Sequence, residues 1–450
     1  MNMNQIHSVY FLGIGGIGMS ALARYFVYLG KNVGGYDKTP SPLTLELEET
    51  GMAIHYEDDV ALIAPHFLDK ETCLIVYTPA VPKEHSELNY FFDQKFTVKK
   101  RSEVLGLVTN ETFCFAVAGT HGKTTTSSIL AHILKEAHVP MTAFLGGISE
   151  DFGSNFYFQG SEYSVVEADE FDRSFLRLSP NIACITSMDA DHLDIYGTGD
   201  ELQKSFREFA ARVKVGGKLF VRNGLPMEGI TYGIEDDADY CAKNVEIVNG
   251  AYVFELQTPT VLYKSIRFKK PGRHNLLNAV VALGMALEAN VKPENLFPAL
   301  ESFKGVQRRF SYRIKNDDFI FIDDYAHHPT EINAVFEAVS EMHPGKKVLA
   351  VFQPHLFSRT KDFAEDFAES LSKFANVLLL DIYPAREKPI EGITSEWLLR
   401  KITSQHKKLV QKSELISEIQ KQAPEVLIVM GAGDIGLEVM KIQKAIVNEG

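Results

Sequence analysis

Two glycine-rich turns, each set between an apolar strand candidate and a helical pattern, constrain this chain more than any other feature. The first is Gly13-x-Gly15-Gly16-x-Gly18, after the β-prone run HSVYFL at 7–12 and before a helical pattern from about Met19 to Leu29. The second is Ala118-Gly119-Thr120-His121-Gly122-Lys123-Thr124-Thr125-Thr126, after FCFAVA at 113–118 and before a helix to about Lys135. A strand feeding a tight turn and then a helix is the repeating unit of a parallel α/β sheet. Both turns aim backbone N–H groups and a helix N-terminus at one place, which suits phosphate.

The alternation continues to the end of the chain. Asn32–Tyr36 and CLIVYT at 73–78 are strand candidates in the first third. YSVVEAD at 163–169 and NIACITS at 181–187 follow the second glycine turn, and 217–268 alternates short strands with turns. GRHNLLNAVVALGMALEA reads as one amphipathic helix starting near His274. KGVQRRFS at 304–311 is polar with one glycine and reads as a hinge. FIFIDDY, KKVLAVFQP, NVLLLDIYP and EVLIVMGAGD are then strands, each leading into a helical pattern. At about 150 residues per domain, 450 residues suggest three. Boundaries fall near 106 and 308, giving α/β regions 1–106, 107–308 and 309–450.

Charge and cysteine usage narrow the function classes. Lys plus Arg is 46 and Asp plus Glu is 59, a net charge of −13. That balance repels a phosphate backbone and argues against a nucleic-acid binder. It leaves room for an anionic small substrate held by a local cluster of donors. Cys73, Cys114, Cys184 and Cys241 form no C-x-x-C pair, so neither a disulfide framework nor a zinc site is expected. No apolar run of about 18 residues predicts a membrane span. MNMNQIHSVYFLG lacks a basic leader region and a cleavage site. A soluble cytoplasmic protein with no membrane partner is expected.

Each motif carries a chemical reading and a plainer one. Asp37 closes a strand 19 residues after Gly18, where an acidic residue would meet a ribose hydroxyl. Alone, this pair says NAD; the plainer reading is a tight turn without ligand. In the second turn, Lys123 would reach phosphate oxygens and Thr124 would place its hydroxyl on Mg²⁺. The spacing is not that of a full Walker loop, which would put glycine where Val117 stands. Glu167, Asp169, Glu170 and Asp172, with Asp191-His192 after the next strand, could hold Mg²⁺ or form a solvated acidic loop. Arg308-Arg309-Phe310, then Asp323-Asp324-Tyr325-Ala326-His327-His328-Pro329-Thr330-Glu331, places two histidines in a strand-to-helix loop, Pro329 suiting the first helical position. Gln353–Arg359, Asp381–Pro384 and Gly431–Asp434 also follow strands, so four polar loops suggest one wall of a site.

Taken in order, GIGGIGM, AGTHGKTTT, EADEFDRSF, DADHLDIY, GRHNLLNA, RRF, DDYAHHPTE, FQPHLFSRT, DIYPA and GAGDI resemble the Mur ligase family over the whole chain. The short glycine loop is that family's own form. The resemblance implies an N-terminal Rossmann-like domain for a UDP-sugar, a central P-loop ATPase-type domain with a mixed sheet, and a C-terminal Rossmann-like domain for the amino acid. It implies ATP-dependent ligation of L-alanine to the carboxylate of UDP-N-acetylmuramate through an acyl phosphate, in peptidoglycan precursor synthesis. Alternatives are ligation of a murein tripeptide to the same sugar and, from Gly13–Gly18 with Asp37 alone, an NAD-dependent dehydrogenase. A homodimer is left open.

By the same resemblance, Gly15, Gly16, Ile17, Gly18 and Asp37 serve the UDP-sugar. Gly119, Thr120, His121, Gly122, Lys123, Thr124, Thr125, Asn275, Asn278, Arg309 and Asp324 serve ATP. Thr124, Glu167 and His192 serve the metal, and Lys123, His328 and Arg359 the chemistry. Leu356 stands where the family usually has arginine, a role that Arg386 could take over, and Phe171 stands where it has serine. Lys204 is a distant candidate for the carbamylated lysine of some sister ligases.

Overall fold

The computed structural model describes residues 5–189, 196, 198–385 and 387–448. Three sheets carry the fold. They lie in two compact units. The first holds the residues up to Glu246 with Val253–Phe268 and Leu277–Lys304; the second holds Ile247–Tyr252, Lys269–Leu276 and the chain from Gly305.

In the first unit, β1 (Ser8–Leu12), β2 (Asn32–Tyr36), β3 (Ala53–His55), β4 (Cys73–Tyr77) and β5 (Thr97–Lys100) form a parallel sheet in the order β3-β2-β1-β4-β5. The connection reverses direction across β1 and β4. A ligand crevice opens at such a switch point, outside the carboxyl ends of the strands, and Gly13 begins there. Helix Ile17–Tyr28 follows because Met19, Leu22, Ala23 and Phe26 recur at helical spacing and are buried against the sheet.

The second sheet of this unit contains β6 (Phe113–Ala118), β7 (Met141–Ser149), β8 (Ser154–Phe158), β9 (Tyr163–Glu167), β10 (Ile182–Ile185), β11 (Lys218–Arg222), β12 (Ile230–Ile234), β13 (Tyr240–Val248), β14 (Ala251–Gln257) and β15 (Leu262–Phe268). Their order is β15-β14-β13-β12-β11-β10-β6-β9-β7-β8. Strand β6 sits between β10 and β9, parallel to both, and β8 runs antiparallel to β7. The sheet is therefore mixed. Its hairpin β7–β8 packs on helix Ile17–Tyr28, with Tyr25 edge-on to Phe144 and Phe156. Asn155, fully buried on β8, donates to the Ile17 carbonyl at 2.5 Å and to Ser20 Oγ at 2.9 Å. The helix behind the first glycine loop is thus pinned to the sheet that carries the second.

The second unit has β16 (Ser311–Lys315), β17 (Ile320–Asp324), β18 (Val348–Phe352), β19 (Asn376–Leu379), β20 (His406–Leu409) and β21 (Val426–Met430), ordered β16-β17-β21-β18-β19-β20. All neighbours are parallel except β16 with β17. Parallel strands end on one edge. The loops after β17, β18, β19 and β21, which hold the four polar motifs, therefore line that edge together. Among the described residues no helix is long and apolar enough to cross a membrane.

Candidate active site

The first glycine loop leaves β1 with the Gly13 and Ile14 N–H groups donating to the Tyr36 carbonyl. Asp37, one residue beyond β2, accepts the Gly15 N–H at 2.7 Å. Its carboxylate therefore fixes the loop by one of the amides that would otherwise face a ligand. Gly16 caps the helix and Ile17 is its first residue, partly exposed at the loop mouth.

The second loop runs from β6 into helix Lys123–Glu136, with Gly119 at φ +132° and Gly122 at φ +82°. Its outer wall is the end of the neighbouring strand β10. Thr186 Oγ1 donates to the Ala118 carbonyl at 3.1 Å, and Ser187 Oγ accepts the His121 N–H at 2.8 Å. Thr120 Oγ1 meets Ser187 Oγ at 2.8 Å. Thr124 and Thr125 face inward and are buried. Asn278 closes the loop at Gly122, where an added methyl group would lie 2.7 Å from its Oδ1.

Lys123 folds into this loop. Its Nζ donates to the Gly119 carbonyl at 2.6 Å and lies 2.9 and 2.8 Å from the two Glu170 oxygens. Burial alone would lower its pKa; Glu170, Asp169 and Glu167 outweigh that and raise it above the ordinary lysine range. The ammonium is therefore charged wherever a phosphate could meet it. Glu170 is fully buried, and its carbonyl accepts from Tyr196 at 2.5 Å.

Thr124 Oγ1 donates to Glu167 Oε2 at 2.7 Å. The Glu167 carboxylate lies against Gly146 of β7, where a Cβ would overlap it. A hydroxyl and a carboxylate side by side at a phosphate loop are hard oxygen donors of the kind Mg²⁺ takes. His192, Asp191 and Arg386 lie outside the described residues. Among the described residues no cluster of three or more His, Cys, Asp or Glu could hold a metal. Phe171 is exposed, and Lys204 pairs with Glu201 on its own helix at 3.6 Å.

In the second unit, Asp324 is buried at the end of β17 and both its oxygens accept backbone N–H groups, from Phe310 and from Ala326, each at 2.7 Å. It clasps the Arg-Arg-Phe segment to the two-histidine loop. Arg309 lies 5.0 Å from the Tyr325 ring centre and 3.6 Å from Glu331. His274 is half-buried near both charges, and desolvation pushes its pKa down to about 4. Asn275 donates to the Pro271 carbonyl at 2.6 Å. His328 caps helix Pro329–Met342, Nδ1 accepting from Thr330 at 3.3 Å. That bond assigns the proton of the neutral ring to Nε2. Arg359 is buried in helix Phe357–Asp362, which Leu356 opens at φ +71° with its N–H on the Tyr383 carbonyl. The loops after β18, β19, β20 and β21 enclose a cleft of about 460 Å³, where Gln353 and Lys412 both hold Asp434.

Asp324 makes a testable pH marker. Burial, opposed by Arg309 and the two N–H donors, pushes its pKa from 3.8 up to about 6. An acid raised in the folded state binds its proton more tightly when folded. Its contribution to stability is greatest below the ordinary aspartate range and falls as pH rises toward 6. The fall is about 2–3 kcal/mol, from roughly 1.4 kcal/mol per pKa unit. Asp324→Asn removes this term, whatever fixed cost it adds through its misplaced amide. Urea unfolding at pH 4 and pH 7 is expected to show the variant gaining on the wild type by that amount. A constant difference would contradict it.

Three family models match consecutive stretches of the chain. "Mur ligase family, catalytic domain" matches residues 8–112, "Mur ligase middle domain" 117–286, and "Mur ligase, glutamate ligase domain" 308–433. The chain is 61% identical over 444 residues to the UDP-N-acetylmuramate–L-alanine ligase of Flavobacterium psychrophilum, covering 99% of each protein. The chain belongs to the Mur ligase family. The protein of the same name from Christiangramia forsetii is 60% identical, covering 100% of this chain and 99% of that one. Among solved structures, the UDP-N-acetylmuramate–alanine ligase of Thermotoga maritima superposes with a TM-score of 0.84 at 26% identity, covering 98% of this chain and all of that one. The three-sheet α/β fold of this Mur ligase is therefore the family's.

This Mur ligase gathers Gly15–Gly18, Asp37, Gly119–Thr125, Glu167 and Asn278 in its first unit. Asn275, Arg309, Asp324, His328 and Arg359 lie in the second. Several residues at these loops escape a reading by motif. Thr186 and Ser187 build the phosphate-loop wall, and the strand NIACITS that ends on them is the signal that could have found them. Glu170, read in the sequence among the metal carboxylates, partners Lys123, and His274 of GRHNLLNA lies beside Arg309.

Proposed function

We propose that this chain joins L-alanine to the carboxylate of UDP-N-acetylmuramate at the expense of ATP. Whole-length identity to ligases of that name carries the reading. Mur ligase family enzymes are ATP-dependent, and the loop at Gly119–Lys123 supplies what phosphoryl transfer needs, positioning and charge neutralisation. The three sheets divide the work as regions 1–106, 107–308 and 309–450, for the UDP-sugar, ATP and the amino acid.

In the first step a carboxylate oxygen of the sugar attacks the γ-phosphorus, the bond to the β-phosphate oxygen breaks, and ADP leaves. Lys123 exchanges Glu170 for the phosphate oxygens, and the loop amides from Gly119 to Thr124 cradle the chain. Thr124 and Glu167, joined by His192, would hold Mg²⁺, which when bound neutralises charge on the transferring group. In the second step the neutral amine of alanine attacks the acyl carbon, phosphate departs, and the amine loses a proton. By the family resemblance, Arg359 would meet the departing phosphate charge and His328 would donate from Nε2–H. By the same resemblance, Asn275, Asn278, Arg309 and Asp324 would serve the nucleotide.

A phosphate-release assay with ATP, Mg²⁺, UDP-N-acetylmuramate and a panel of acceptors tests the reading. L-Alanine is expected to be preferred. One methyl in an apolar pocket is worth about 1–3 kcal/mol, so glycine is expected to be roughly 10–200-fold poorer in kcat/KM. A tripeptide used as well as L-alanine would move the protein to the sister ligase, and turnover of NADH without ATP would overturn the class.

A further inference from the structure

Arg101 belongs to no motif above, yet its guanidinium lies on the first glycine loop. It follows β5, whose carboxyl end shares the sheet edge with Gly13–Gly18. A methyl group at Gly18 would sit 2.5 Å from Arg101 Nη1 and 3.1 Å from its Cζ. The guanidinium therefore packs against the backbone of Gly18, within the first loop. Its other nitrogen, Nη2, stands 3.7 Å from Asp169 Oδ2, too far for a hydrogen bond. Among the described residues the guanidinium donates to no protein acceptor. The side chain is nonetheless only 20% exposed. Lys100 beside it is tied to Asp172 at 3.0 Å, which fixes the segment.

The loop needs such a cation. Residues 13–23 carry no lysine or arginine, and Arg24 is paired with Glu46 at 2.9 Å. Asp37 already holds the Gly15 N–H and adds a negative charge beside the loop. A helix N-terminus contributes only about half a positive charge, against two negative charges on a diphosphate. An arginine with five donors in a planar fork answers phosphate oxygens in pairs.

We propose that Arg101 is a diphosphate-binding residue of the UDP-sugar site, donating to phosphate oxygens seated on the Gly15–Gly18 amides. This rests on the reading that the chain binds a UDP-sugar. Because the same guanidinium faces Asp169, two residues beyond Glu167, Arg101 also links the diphosphate to the acidic end of the ATP loop.

Calorimetric titration of wild type, Arg101→Ala and Arg101→Lys with UDP and with UMP tests the proposal. Loss of a charged hydrogen-bonding partner is worth about 10–100-fold in affinity. Arg101→Ala is expected to weaken UDP and UDP-N-acetylmuramate by that factor and to collapse the preference for UDP over UMP. Arg101→Lys keeps charge without the fork and should fall between. ATP-induced melting shifts should stay as in the wild type, which a merely structural role would not guarantee. An unchanged UDP-to-UMP ratio in either variant overturns the proposal; if Arg101→Ala does not fold, Arg101→Lys decides alone. A wild type that binds neither nucleotide would instead count against the UDP-sugar reading.

Discussion

Lys123→Ala is expected to bind UDP-N-acetylmuramate and fail to ligate it. The lysine is on the loop between β6 and its helix, away from Gly13–Gly18, so sugar binding has no reason to change. Its ammonium is charged, held at 2.8–2.9 Å by Glu170, and is the cation of the loop itself. Removing one preorganised donor to developing charge costs about 10²–10³ in turnover, and a whole charge sits at the upper end. The same substitution takes away the cation facing Glu170, a fully buried carboxylate. Breaking a buried pair from one side typically costs about 3–5 kcal/mol. The variant is therefore expected to melt lower, and the two losses separate in the double variant. Lys123→Ala with Glu170→Gln should regain most of the stability and none of the activity. Phosphate release, denaturant melts and UDP-sugar-dependent melting read these out. Near-normal turnover in Lys123→Ala would sink the assignment of this loop to ATP.

The strands and turns of this fold are local events, and the sequence shows them. FCFAVA and IACI are continuous apolar runs because parallel central strands are buried on both faces, and they form β6 and β10. What lies between those elements is not local. Asp37 stands at the position expected to read a ribose, but its carboxylate is used on Gly15 N–H, a contact set by how β2 ends beside β1. Asn275 and Asn278 are three residues apart on one helix, yet one bonds Pro271 and the other closes Gly122. The excursions Ile247–Tyr252 and Lys269–Leu276 into the second unit are set by packing with residues far along the chain. Asn155 and Arg101 touch the first loop from 138 and 83 positions away along the chain, distances at which spacing carries no information. Motifs mark where the backbone must do something special. They do not mark the ordinary side chains brought to that place by packing.

Gly119→Ala is expected to damage stability and nucleotide binding together. Gly119 adopts φ +132°, a conformation L-residues rarely hold. Such strain costs about 1–3 kcal/mol. Its Cβ would also overlap Thr186 Oγ1 and lie 2.8 and 2.9 Å from the Ser187 and Thr186 amides. Those atoms cannot yield cheaply. Thr186 is bonded to the Ala118 carbonyl, and Ser187 Oγ takes the His121 N–H, so moving them opens the loop from both sides. Overpacking of this kind adds about 1–3 kcal/mol. Together these approach the 5–15 kcal/mol on which a whole domain depends. Gly122→Ala is the internal comparison. It also has positive φ, at +82°, but meets the end of the Asn278 side chain, which can rotate away. It is expected to lose nucleotide affinity while keeping most of its stability. Gly119→Ala should lose both, together with the melting shift induced by ATP. A Gly119→Ala protein with wild-type stability and a wild-type response to ATP would mean that the loop wall built by Thr186 and Ser187 does not hold the phosphate site.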